Sequence, residues 1–215
     1  MFRALAIVGL LAGAAGAGES DWVSLFDGKS LAGWTSPSGG KPGKGWKIED
    51  GALHRESSGG DLLSEKQFTD FELEFDWKVA KGTNSGVKYR VLKTPGGWLG
   101  PEYQVLDDLW HPNGKVADTS AASLYEIAAP SADKKLKPIG EWNHSKVVAK
   151  GTILEHWING KRVLKIDIGG PEWPRLKKES KFSKVEGFGG PKAGHILLQD
   201  HGDEVWFRSI RIRGL

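Results

Sequence analysis

The sequence predicts an all-β fold of antiparallel sheets. Three observations carry this. Phe71-Glu72-Leu73-Glu74-Phe75-Asp76-Trp77 alternates strictly between apolar and acidic residues, the period of a strand with one buried side. Short runs of this kind are separated by Gly, Pro, Asn and Asp, which is turn chemistry. No segment sustains a 3.6-residue apolar period, so long helices are not expected. Many short strands with regular turns define a sandwich or a barrel. The lack of an internal repeat of roughly 20–50 residues argues against a propeller.

The N-terminus stands apart. Arg3 supplies a positive start, residues 4–12 are apolar, and Ala15-Gly16-Ala17 has the small-x-small form of a cleavage site. These features predict a secretory signal peptide over residues 1–17, cleaved near Ala17, and a secreted or periplasmic protein. The apolar run is shorter than the ~20 residues of a membrane span, and no membrane partner is expected. No linker divides residues 18–215, which read as a single domain.

Within that domain residues 86–91 and 102–105 also alternate. Further strands are expected at 146–149, 153–158, 162–168, 195–201 and 205–212. Asn159-Gly160, between Trp157-Ile158 and Arg162-Val163-Leu164, is the strongest hairpin signal. Asn84-Ser85-Gly86 reads as a turn in which Gly86 supplies unusual backbone angles. Residues 130–138 and 171–184 read as loops, the second most simply as a solvated excursion.

Composition narrows the chemistry. The absence of Cys removes disulfides, thiol nucleophiles and Cys-based zinc sites. A net charge of +3 is too small for a nucleic-acid binder held by phosphate contacts. Ten Trp need a large aromatic core or a surface on which rings stack. Trp34, Trp46, Trp77 and Trp206 have strand-like contexts and are expected in the core. Trp98, Trp110, Trp142 and Trp157 lie near loops or strand ends, where Trp faces suit sugar rings. His111-Pro112 after Asp107-Asp108 brings together residue types that bind divalent cations, without a fixed metal spacing. Asn143-His144-Ser145 fits an N-glycosylation acceptor.

Two polar constellations stand out. Glu72, Glu74 and Asp76 share one face of one strand. Paired carboxylates about 5 Å apart equip a retaining glycosidase, but a wet side of an antiparallel sheet explains the row without catalysis. The second constellation spans several strands. Alternation puts Lys88 and Arg90 on a polar face, with Val87, Tyr89 and Val91 toward the core. It puts Glu102 and Gln104 opposite Tyr103 and Val105, and groups His195, Leu197, Gln199 and His201 opposite Ile196 and Leu198. If these strands are adjacent, their mixed polar groups suit recognition of a polar ligand.

Seven blocks in order resemble a known family. Phe26-Asp27-Gly28-Lys29-Ser30-Leu31-Ala32-Gly33-Trp34 is similar to the opening motif of the bacterial 3-keto-disaccharide hydrolases, also described as 3-keto-glucoside-1,2-lyases and 3-keto-2-hydroxy-glucal hydratases. Trp46-Lys47-Ile48-Glu49-Asp50-Gly51 resembles the next block, and residues 71–90 the most recognisable one, ending Asn84-Ser85-Gly86-Val87-Lys88-Tyr89-Arg90. Gly100-Pro101-Glu102-Tyr103-Gln104-Val105-Leu106-Asp107-Asp108, Gly140-Glu141-Trp142-Asn143, His156-Trp157-Ile158-Asn159-Gly160 and Gly194-His195-Ile196-Leu197-Leu198-Gln199-Asp200-His201-Gly202 complete the series. The resemblance runs from about Trp22 to Leu215.

That resemblance implies a concanavalin A-like jelly-roll sandwich of two antiparallel sheets, a secreted or periplasmic protein, and an oligosaccharide or glycoside substrate. It also implies a chemistry. A ketone at sugar carbon 3 acidifies the hydrogen on carbon 2; a base removes it, the glycosidic oxygen leaves carbon 1, and water adds to the 2-hydroxy-glucal. One base, an electrophile at the keto oxygen and a proton donor for the leaving group are required. Glu102, His156 and His201 are the candidate bases. Arg90, or a bound divalent cation, polarises the keto oxygen; no other cofactor is implied. Asn84, Gln104, Asp107 and Gln199 hold hydroxyls, while Tyr125 and Trp142 stack on the ring. By strict alternation Asp107 faces the core, so its place in the site requires a bulge or a strand end. His156 lies beside apolar Leu154 and Ile158, and a satisfied core histidine is its competing reading. The 171–184 segment is expected to shape the groove rim. The alternatives are a non-catalytic carbohydrate-binding module and a retaining glycosidase built on Glu72, Glu74 and Asp76.

Overall fold

The computed structural model describes residues 21–215; the expected signal peptide lies outside the described residues. Among them, no helix is long and apolar enough to cross a membrane. The larger of two antiparallel sheets has the order β12 (Lys161–Asp167), β11 (Ile153–Ile158), β10 (Asn143–Lys150), β6 (Phe71–Val79), β14 (Val205–Gly214), β4 (Ala52–Arg55), β3 (Trp46–Glu49), with β1 (Val23–Ser24) also on β14. The smaller has the order β2 (Trp34–Thr35), β5 (Leu62–Phe68), β13 (Gly194–Leu198), β7 (Asn84–Thr94), β8 (Gly97–Leu99), with β9 (Glu102–Leu106) also on β7. The expected sandwich is the observed architecture.

The alternation of β6 decides which way the larger sheet faces. Phe71, Leu73, Phe75 and Trp77 are buried against Val87, Tyr89, Tyr103, Val105, Ile196 and Leu198 of the other sheet. Edge-to-face pairs join the layers, Phe71 with Tyr89 at 6.2 Å and Phe75 with Tyr103 at 5.4 Å. Truncating such a ring to Ala costs about 3–5 kcal/mol. The polar atoms taken into this core are bonded. Trp77 Nε1 donates to Ser145 Oγ at 2.8 Å, and the Tyr103 hydroxyl meets the same Oγ at 2.8 Å.

Glu72, Glu74 and Asp76 stand on the opposite, outer side of β6. Arg213 Nε donates to Glu72, Arg211 Nη2 to Glu74 at 2.7 Å, and Asp76 takes His144 at 2.8 Å and Arg208 at 3.2 Å. Each acid faces a cation across the strand pair. This row is a paired surface ladder, and the glycosidase reading of these three residues fails with it. Trp206 departs from its expected core position for the same reason. It is half-buried on this outer face, stacked on His54 at 4.4 Å and covered by the Lys78 ammonium at 4.4 Å. Trp34, Trp46 and Trp77 are buried as expected.

Several local readings change. Asn84-Ser85-Gly86 opens β7 instead of forming a turn, and Gly86 has no positive φ. The 171–184 segment is not wholly loop: Trp173–Glu179 forms a short helix, α1. The β13 strand ends at Leu198, so Gln199 and His201 lie on the loop beyond it. Asn143 is buried in β10, its Oδ1 accepting the Lys137 N–H at 2.8 Å and Asn159 Nδ2 at 2.9 Å. That is a poor position for a glycan acceptor.

Candidate active site

The outer face of the smaller sheet holds a small polar cavity of about 130 Å³ that opens to solvent. Asn84 and Lys88 come to it from β7, Glu102 and Gln104 from β9, and Leu99 from β8. Tyr125, Gln199 and His201 reach it from loops, and Lys181 and Phe182 from just beyond α1. Strand pairing explains the assembly. Lys88 is registered with Glu102 and Gly86 with Gln104 between β7 and β9, while Leu197 of β13 faces Lys88 on the other side.

Glu102 is the chemical centre. Its carboxylate is 6% exposed, and Lys88 Nζ stands 3.8 Å away. Burial pushes the Glu102 carboxyl above the ordinary carboxylate range, against the pull of Lys88 and Lys181. It fits there because residue 86 lacks a side chain: a Cβ on Gly86 would stand 2.3 Å from Glu102 Oε1.

Amides surround it. Gln104 Nε2 donates to Asn84 Oδ1 at 3.3 Å and to Thr119 O at 3.2 Å. Gln104 Oε1 and Gln199 Oε1 are buried with no protein donor among the described residues. Buried acceptors without a donor are costly, so a ligand hydroxyl is their natural partner.

The loop bearing His201 is fixed beneath it. Asp200 accepts Arg55 Nε at 2.6 Å and the amides of Gly59 and Gly60 at 2.8 and 2.7 Å. Burial opposes ionisation of Asp200, but these amides, that of Gly202 and Arg55 hold its carboxyl below the usual range. Asp61 accepts the Asp200 N–H at 2.8 Å, and burial pushes its own carboxyl up. On the rim, the Lys181 ammonium rests 4.1 Å from the Tyr125 ring and 3.6 Å from Glu126. Burial, with Glu126 next, pushes the Tyr125 hydroxyl up to about 12, so it stays protonated as a donor.

Of the expected site residues, Asn84, Glu102, Gln104, Tyr125, Gln199 and His201 come together here. Four do not. Arg90 sits in a β-bulge with φ 48°, where the β7–β13 register shifts. The bulge aims its guanidinium away, donating to Thr69 O at 2.8 Å, Gly151 O at 3.0 Å and Asp70 Oδ1 at 3.0 Å. His156 lies in the core, between the Tyr89 hydroxyl at 2.9 Å and Ala122 O at 3.0 Å, and burial pulls its imidazole down to about 4. Asp107 follows the end of β9, as foreseen, yet it organises a loop, accepting the N–H of Gly82 at 2.7 Å and of Leu109 at 2.9 Å. Trp142 lies under Arg208, at 4.0 Å, on the outer face of the larger sheet.

Lys88, Leu99, Lys181 and Phe182 belong to the site without having been candidates. Alternation had put Lys88 on the polar face, so a signal for it existed. Lys181 and Phe182 gave none beyond the expectation that their segment shapes the rim. Phe182 stacks on Phe188 at 4.1 Å, anchoring that segment beside the cavity. The Asp108 and His111 side chains, whose residue types suggested a divalent cation, are turned to protein partners. Asp108 binds Lys134 at 2.8 Å and His111 Nδ1 accepts the Asn113 N–H at 3.1 Å. Among the described residues, no three His, Cys, Asp or Glu converge as metal ligands would.

Two antiparallel sheets with a polar cavity on one outer face place the protein among the concanavalin A-like jelly rolls. Its sequence matches the 3-keto-alpha-glucoside-1,2-lyase-like domain over residues 21–213, and the chain belongs to that family. It is 36% identical, over 229 aligned positions, to the 3-keto-disaccharide hydrolase of Bacteroides thetaiotaomicron, with 90% of this chain and 78% of the relative covered. A provisionally assigned glycosyl hydrolase from Parabacteroides distasonis superposes with a TM-score of 0.80 at 30% identity, covering 91% of this chain and 94% of that one. The CBM66 carbohydrate-binding module of Bacillus subtilis shares the fold alone, with a TM-score of 0.50 at 16% identity, covering 85% and 96%.

Proposed function

We infer that the protein is an exported carbohydrate hydrolase that cleaves 3-keto-glycosides by elimination and hydration. The coarse part, a hydrolase acting on carbohydrate, is supported by the family and by the named activity of the Bacteroides relative. The finer part rests on one observation. Among the described residues that line the cavity, Glu102 is the one carboxylate, and a lysine stands beside it. Classical glycosidases work with two carboxyl groups flanking the scissile bond. Elimination from a ketone needs one base and a cation for the enolate.

In this reading Glu102 takes the proton from carbon 2 and Lys88 stabilises the oxyanion formed on carbon 3. The electron pair returns to make the carbon 1–carbon 2 double bond, and the carbon 1–oxygen bond breaks. His201, on the rim, protonates the departing oxygen. Water then returns a hydroxyl to carbon 1 and a proton to carbon 2. Gln104 Oε1 and Gln199 Oε1 accept from the remaining sugar hydroxyls; as acceptors they cannot serve the ketone, which is left to Lys88. No step is assigned to a divalent cation, since among the described residues no three His, Cys, Asp or Glu converge.

Incubation with a 3-keto-glucoside and its unoxidised counterpart tests this. Release of the aglycone from the ketone alone is expected, with Glu102→Gln slower by about 10²–10⁴-fold. Equal cleavage of both substrates refutes elimination. Sugar affinity without turnover of either supports the binding-module alternative.

A further inference from the structure

One carboxylate behind the cavity wall has no part in the chemistry above. Asp61 stands immediately before β5 and does not line the cavity. Strand register places it. Leu62, Leu198 and Val87 form one row across β5, β13 and β7, and all three are core residues. Leu63, Leu197 and Lys88 form the next row. Leu63 and Leu197 pack together outside that core, and Lys88 turns into the cavity. Successive residues of a strand point to opposite sides. Asp61, one residue before Leu62, therefore shares the outer side with Leu63 and Lys88. Its flank is fixed: Asp61 Oδ1 accepts the Asp200 N–H at 2.8 Å, and Gln199 donates its N–H to Gly86 O at 2.9 Å.

A row of charges follows from this placement. Lys88 rises from β7, which has β9 and Glu102 on one side and β13, then β5, on the other. The Lys88 ammonium is 3.8 Å from Glu102. Asp61 feels burial first, then the Asp200 N–H and the Lys88 charge, with Asp200 and His201 also in range. Glu102 feels burial first, then Lys88 and Lys181, which favour its charge, and Asp61 and Glu126, which oppose it. The cation needed for the enolate thus weakens the base beside it. A second acid restores the proton affinity of the first. A base takes a proton from carbon more readily as that affinity rises.

Resting on the function inferred above, we propose that Asp61 is a positioning residue for the reaction: its carboxylate holds the Lys88 ammonium between two acids and keeps Glu102 ready to take the carbon 2 proton. Asp61→Asn tests this, because it retains an oxygen for the Asp200 N–H and removes the charge alone. The pH profile of kcat/KM for the 3-keto-glucoside is the main readout. Its acid limb, set by the base of the free enzyme, is expected roughly 0.3–1 pH unit lower in Asp61→Asn than in the parent. kcat at the plateau falls about twofold to fivefold. A merely structural role would lower the rate and leave the limb in place, and an unmoved limb overturns the proposal. Should Asp61→Asn not fold, Glu102→Gln is read by carbon NMR. Coupling between two sites is reciprocal, so the Asp61 carboxyl then titrates at lower pH than in the parent; an equal value overturns the proposal. If the parent cleaves no ketone, the inferred function fails, and the Glu102 carboxyl is titrated by NMR in the parent and in Asp61→Asn. A lower value in the variant upholds the coupling, and equal values overturn it.

Discussion

Glu102 reaches its position only because residue 86 ends at its α-carbon. A Cβ there would stand 2.3 Å from the carboxylate oxygen, and the neighbour that must yield is the proposed base itself. The backbone angles at Gly86 are open to any residue, so the demand is for space and not for conformational freedom. Gly86→Ala is therefore expected to fold and to displace Glu102. A shift of about 1 Å at a reacting group costs about a hundredfold in rate. Steady-state kinetics should show that loss mainly in kcat, with a thermal midpoint close to the parent's. An unchanged kcat would mean that Glu102 Oε1 does not need the place it occupies.

At the scale of single elements, the β7 bulge decides what the site contains. Without it Arg90 would share a face with Lys88. With it, Arg90 ties the turn at Thr69 and Asp70 to the turn at Gly151. Gly194 permits the close approach, since a Cβ there would stand 2.3 Å from the Arg90 carbonyl carbon. Arg90→Met should cost about 3 kcal/mol or more, because it takes the guanidinium from three carbonyls and from the Asp70 carboxylate, which keeps only the Gly151 N–H. Denaturant titration would read the loss, and the folded fraction should keep its kcat. A fall in kcat at full folding would return Arg90 to the chemistry. The same bulge marks where the sequence stopped being legible. Alternation placed Lys88, Glu102, Gln104 and Ile196 correctly, because period-two patterning follows directly from the pleat. It misplaced Arg90 and Val91, because one extra residue reverses every face beyond it. Val91 joins Leu63 and Leu197 on the far side of the sheet, under Trp98. Loops obey no period. That is why Lys181 and Phe182 went unnoticed; Asp107 and Trp142, put in the site by the resemblance, lie outside the cavity lining.

For the whole molecule, the two sheets divide the labour. The larger presents a ladder of paired charges, the smaller presents the cavity, and His156 joins them through the Tyr89 hydroxyl. Burial keeps His156 neutral down to about pH 4, whereas an unfolded histidine takes its proton near 6.5. The unfolded chain therefore binds more protons as pH falls, and stability drops by up to about 1.4 kcal/mol per pH unit between those values. His144 works in the opposite sense: hydrogen bonding to Asp76 raises it, so its contribution is lost as pH rises through its folded value. The comparison must be with His156→Gln, in urea melts from pH 7 to 4. The parent should lose more stability over this range than the variant; parallel curves would contradict the assignment. The chemistry proposed for the cavity has a sharper test. If the 3-keto-glucoside is cleaved in heavy water and the fresh product is examined by mass spectrometry, removal and return of the carbon 2 proton predict one carbon-bound deuterium at that carbon, beyond the exchange of free product incubated alongside. Cleavage that leaves carbon 2 with its original hydrogen would contradict the account.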